Sequence, residues 1–105
     1  MSLTIIFCSD KYLLELNKSF LAHDYYTDII TFDLSEASGL TAEIYISVDR
    51  VRDNAARLGT TFKEEVHRVV FHGVLHLCGY KDKSAREQKK MREMENKALA
   101  AYFKP

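Results

Sequence analysis

The stretch Phe71 to Lys83, F-H-G-V-L-H-L-C-G-Y-K-D-K, constrains this chain more than any other part of it. His72 and His76 stand four apart. On an α-helix four residues turn about 400°, so both imidazoles project from one face, one turn apart. Gly79 can end that helix and let the chain reverse, and Asp82 follows three residues later as a third ligand returned to the same face. Two histidines, a turn and an anionic oxygen match an open catalytic zinc site, which uses three protein ligands and leaves a fourth position for water. The expectation is a metal held by His72, His76 and Asp82, either Zn²⁺ or another divalent transition metal. A metal-bound water would be the nucleophile.

Neighbouring residues narrow the chemistry. Helical zinc peptidases place a glutamate directly after the first histidine as general base; here that position is Gly73. Peptide hydrolysis is therefore the less expected chemistry; phosphodiester cleavage can depend more on the metal-bound hydroxide and on charge neutralisation, with a base supplied elsewhere or by the substrate. His67 lies about 140° round the helix from His72 and cannot share its metal. His23 falls in a loop with no evident partner. Cys78 points away from the ligands and is expected to be a small core residue. Glu43, on a strand, is a weak candidate for the base. Glu95, beside an apolar stripe, fits an interhelical hydrogen bond as well as a catalytic role.

The pattern around this stretch sets the fold class. Leu3–Cys8, Thr27–Leu34 and Thr41–Val48 are β-branched, apolar runs expected as strands. In the last of them Glu43, Tyr45 and Ser47 share one face, Ile44 and Ile46 the other. Ser9 or Asp10 caps a helix to about Leu21, in which Asn17 interrupts the apolar face. Residues 35–40, with Ser38-Gly39, form a turn. Ser47 or Asp49 caps a short helix to about Leu58, with Val51, Ala55 and Leu58 inward and Gly59 as its stop. Thr61-x-x-Glu64 and Ser84-x-x-Glu87 are capping boxes for two further helices. The first carries so wide an apolar surface (Phe62, Val66, Val69, Val70, Gly73, Val74, Leu77) that it should be central. The second runs to about Tyr102 with Met91, Met94, Ala98, Leu99 and Tyr102 inward.

The order β-α-β-β-α-α-α implies one α+β domain over 1–105, a mixed sheet packed around a central metal-binding helix. At 105 residues and 47% hydrophobic content there is enough for one small core. Net charge is zero, but residues 81–105 hold 8 Lys/Arg against 4 Asp/Glu. Such a segment is more often a solvated helix face; were the ligand RNA, Arg86, Lys89 and Lys90 would be its candidate contacts. Two isolated cysteines and no membrane-length apolar run point to the cytoplasm and away from a membrane.

Several segments together resemble the YbeY-type endoribonucleases, bacterial rRNA maturation factors. They are Leu16-Asn17 with Thr27-Asp28-Ile29-Ile30-Thr31-Phe32, the strand Ala42–Ser47, the run His72–Tyr80 (H-G-V-L-H-L-C-G-Y), and Met91 with Glu95. The resemblance covers nearly the whole chain. It implies a metal-dependent, single-strand-specific endoribonuclease acting on the small-subunit rRNA 3′ end and in ribosome quality control. It also implies a zinc-like metal on three side chains, and rRNA and the small ribosomal subunit as partners. The sheet would have three strands here against four in the family, whose members usually carry a further strand and helix before the segment that begins at Leu3. Two positions depart from the family pattern: Asp82 stands where a third histidine is usual, and Leu21 where a functional arginine is common. Two other readings are a zinc metalloendopeptidase-like hydrolase and a non-catalytic ribosome-associated module with a structural metal.

Overall fold

The computed structural model describes residues 2–37 and 39–103. Along them run β1 (Ser2–Cys8), α1 (Asp10–Leu21), β2 (Ile29–Asp33), β3 (Thr41–Ser47), α2 (Val48–Leu58), α3 (Phe62–Leu77) and α4 (Ala85–Tyr102). The fold is α+β in the expected element order. Ser38 of the expected turn lies outside the described residues.

β3 is the middle strand, parallel to β1 and antiparallel to β2, so Ile44 faces Ile5 on one side and Thr31 on the other. Alternation along β3 separates two layers. Ala42, Ile44 and Ile46 are fully buried. Ile44 and Ile46 form the core with Val51 of α2 and Val69 of α3, and Ile29, Val66, Val70, Val74 and Leu77 pack around them. On the other face Tyr45 meets Phe32 edge-on at 5.7 Å, and Phe32 meets Phe20 of α1 at 5.8 Å. α1 thus covers one face, α2 and α3 the other, and α4 packs on α3.

Each of these four helices begins on a hydroxyl cap. Ser9, Ser47, Thr61 and Ser84 accept the backbone N–H of the third residue onward, each worth about 1 kcal/mol. Only Ser84–Glu87 closes the reciprocal capping box. In the expected Thr61–Glu64 box the glutamate instead accepts from the Thr60 hydroxyl. Asp10 ties α1 to α2 by accepting from Ser47 Oγ (3.0 Å) and Arg50 Nη2 (2.7 Å).

Three expected core positions are corrected. Leu58 is 60% exposed, because α2 stops there as Gly59 turns into the left-handed region at φ +68. Cys78 is exposed at the end of α3 rather than buried. Tyr102 is also largely exposed, although its ring lies 4.6 Å from that of His67. No helix among the described residues is long and apolar enough to cross a membrane.

Candidate metal centre

The central helix lies unusually close to the sheet at Gly73. A Cβ there would sit 2.8 Å from Ile29 Cδ1 and 3.1 Å from Ile44 Cδ1. With that side against the sheet, His72 and His76 are carried to the edge of the layer, where α3 meets the approach to α4. Gly79, at φ +98, reverses the chain after α3. The N–H groups of Gly79 and Tyr80 close on the carbonyls of His76 and Leu75. Ser84 then caps α4, so the segment carrying Asp82 is tied down at both ends.

The three side chains converge. His72 Nε2 lies 3.0 Å from His76 Nε2, and the two nitrogens are 3.1 and 3.2 Å from Asp82 Oδ2. Ligand atoms about 2.0–2.1 Å from a tetrahedral zinc are themselves about 3.3 Å apart, so the triangle has nearly the size a metal needs. The donor set agrees. His72 Nδ1 lies 2.6 Å from Glu95 Oε2, so its proton belongs on Nδ1 and its lone pair on Nε2 points into the triangle. Lone pairs 3 Å apart repel unless a proton or a cation lies between them. Among the described residues this is the one cluster of three such side chains that could hold a metal ion.

Glu95 is the residue behind the histidine. It is 4% exposed and accepts from Arg68 Nη1 (3.1 Å), with Arg92 Nη1 at 3.6 Å. Burial alone would raise its carboxyl, but the hydrogen bonds from His72 and Arg68 outweigh it and hold the pKa below the usual range. The Glu95 hydrogen bond in turn raises His72 against the opposing effect of burial, with help from Asp82 and Asp28.

The cluster stands where two clefts join; both are lined by Asp28, Ile29, His72 and Asp82. One, about 680 Å³, runs between α3 and α4 past Glu65, Arg68, Lys89 and Arg92. The other, about 520 Å³, runs under the loop after α1, past Asn17, Leu21, His23 and Tyr25. Buried Asn17 pins that loop twice, its side-chain amide donating to Tyr25 O (2.8 Å) and its backbone carbonyl accepting from His23 N–H (3.1 Å). The His23 and Tyr25 rings stack at 5.0 Å. Of the expected RNA contacts, Lys89 lines the first cleft, while Arg86 and Lys90 are exposed on α4 and line neither. Glu43 is not brought to the cluster. It lies on the α1 face of the sheet and accepts from the Tyr45 hydroxyl at 3.1 Å.

The profile of the family described as "Endoribonuclease YbeY" matches residues 1–103. A relative of that name from Cytophaga hutchinsonii is 55% identical over 95% of this chain and 71% of its own length. The chain belongs to the YbeY family. Another family member, from Bacteroides thetaiotaomicron, is 53% identical over 90% of this chain and 69% of its own. The fold is similar to the solution structure of TM1509 from Thermotoga maritima, with TM-score 0.65 and 36% identity over 93% of this chain and 65% of that one. This chain thus spans roughly two thirds to 70% of these relatives' length.

Within this YbeY-family chain, three carboxylates at the centre escaped the sequence reading or were left open by it. Glu95 carried a signal, because it sits four residues from both Met91 and Leu99 on the buried stripe of α4. Glu65 carried a weaker one, seven residues before His72 and hence on the same face. Nothing in the sequence marks Asp28 as a cleft residue; it is placed by the backbone bond from Ser47 N to its carbonyl (2.9 Å).

Proposed function

We propose that this chain is a metal-dependent endoribonuclease that cleaves single-stranded RNA during ribosomal RNA maturation. Its substrate would be the 3′ end of small-subunit rRNA, with a role in ribosome quality control. The observation that carries this reading is the His72–His76–Asp82 triangle at the junction of two clefts, in a chain whose relatives are named Endoribonuclease YbeY. His72, His76 and Asp82 would hold the ion, and the donor set of two nitrogens and one oxygen suits Zn²⁺. When bound, such an ion supplies Lewis-acid polarisation of water and of a phosphoryl oxygen.

The other residues prepare the site. Glu95 fixes the ring and tautomer of His72. Arg68 and Arg92 balance its charge, and Lys89 and Arg92 at the first cleft suit a phosphodiester backbone. Asp28, common to both clefts, is pushed up in pKa mainly by burial and is the group placed to hold or accept a proton beside the cluster. The His23–Tyr25 stack offers a flat surface to unpaired bases. Gly73 opposes a peptidase, since the backbone there is pressed against Ile29 and Ile44 and leaves no room for a base.

The test is cleavage of a labelled single-stranded RNA by the full chain. Activity should vanish on chelation, return with a divalent transition metal, and be absent toward casein. Casein hydrolysis without RNA cleavage would assign the site to a peptidase. A metal-replete protein that cuts neither, and unfolds when stripped, would make the metal structural.

A further inference from the structure

The first cleft contains a carboxylate that the metal chemistry does not use. Glu65 is 5% exposed and lines the cleft wall. Among the described residues no hydrogen bond or ion pair satisfies it. The neighbouring guanidinium, Arg68, is committed to Glu95, and Arg92 also leans toward Glu95. Its carboxylate oxygens open onto the cleft with no protein donor on them, and burial of the side chain pushes the Glu65 carboxyl up. Around it the cleft has apolar walls, Ile29, Val69 and Met91, and cations, Lys89 and Arg92. Its volume of about 680 Å³ is that of a small-molecule pocket, roughly 300–1,000 Å³.

From this we infer that the cleft between α3 and α4 is a guanine-binding subsite, in which Glu65 accepts from the N1–H and N2–H of one unpaired base of the RNA. The inference rests on the endoribonuclease reading only in taking RNA as the ligand. A carboxylate is an acceptor with two oxygens, and guanine is the base whose Watson–Crick edge offers two adjacent N–H donors. Adenine and cytosine offer one amino group beside an acceptor nitrogen, which would face the second carboxylate oxygen. Uracil offers one imide N–H between two carbonyls. The aliphatic walls and the Met91 thioether suit an aromatic ring, and the cations at the cleft suit the adjoining phosphates. A second cation is the poorer occupant. Asp28 and Glu65 bring no third ligand atom within range of each other, and three basic side chains line the same cleft.

The experiment uses the full chain as purified, with its metal, and probes with 2′-O-methyl riboses so that binding is read without cleavage. The probes are fluorescein-labelled uridine heptamers whose central base is guanine, hypoxanthine, adenine or cytosine, followed by anisotropy. The guanine probe should bind about tenfold or more tighter than the adenine and cytosine probes. The hypoxanthine probe, which keeps N1–H but lacks the N2 amino group, should fall between. Glu65→Gln should erase the preference for guanine over adenine and cytosine. The hypoxanthine comparison needs no variant, so it decides the matter even if Glu65→Gln folds poorly. Equal affinity for all four probes with RNA cleavage intact would overturn the subsite and leave the nuclease standing. Guanine-selective binding with no cleavage by the metal-loaded protein would do the reverse. Failure to bind any probe would overturn both. A second equivalent of Mn²⁺ held by the natural protein and lost in Glu65→Gln would also overturn the subsite, by giving Glu65 to an ion.

Discussion

Glu95 and Asp28, two carboxylates beside the His72–His76–Asp82 cluster, have their pKa values moved in opposite directions. Glu95 has donors on both oxygens, which hold it low; Asp28 accepts only a long side-chain bond, from Asn54 Nδ2 at 3.4 Å, and burial outweighs its backbone hydrogen bond and raises it. For Glu95→Gln, metal affinity should fall about 10–100-fold with little change in the circular dichroism spectrum. Because the Glu95 hydrogen bond also raises His72, the metal-free His72 imidazole should titrate at lower pH in that variant, which NMR of the metal-free chains would register. For Asp28 the sign runs the other way from a salt-bridged acid. Its folded-state pKa lies above its unfolded one, so its ionised form opposes folding at neutral pH, and that cost fades as pH falls through the folded pKa. Asp28→Asn should therefore melt at a higher temperature than the natural chain near pH 7, with the advantage gone in acid, while RNA cleavage drops. A variant equally stable at both pH values would remove the buried charge from the account.

At the scale of elements, α3 decides the outcome. Its H-x-x-x-H spacing, its wide apolar surface and the stop at Gly79 were readable because each follows from helical periodicity or from the conformation only glycine adopts easily. The reason for Gly73 was not readable as packing. The sequence marks it as a missing general base; the structure shows the helix seated on Ile29 and Ile44 through that position. Gly73→Ala should cost about 1–3 kcal/mol in chemical denaturation, from overpacking. A neutral or stabilising result would mean that the isoleucine ends yield freely. Leu58 and Cys78 were misplaced for a common reason: both lie at helix ends, where a periodic pattern no longer says what stands opposite.

For the whole molecule, the element order was enough to foresee an α+β fold with a mixed sheet, and the apolar face of Thr41–Ser47 showed that the sheet must be covered. It could not say which helices cover which face, and so it left Glu43 as a candidate base when that residue lies across the sheet from α3. The clefts, likewise, are products of tertiary packing. They join the end of α1 and the loop after it to helices some fifty residues on, a juxtaposition no local pattern encodes. Whether His72, His76 and Asp82 together hold one metal ion is decided by metal analysis of the purified natural chain beside His72→Ala and Asp82→Ala. About one equivalent of a divalent transition metal is expected in the natural chain and a small fraction of that in either variant. Undiminished metal in both variants would contradict it.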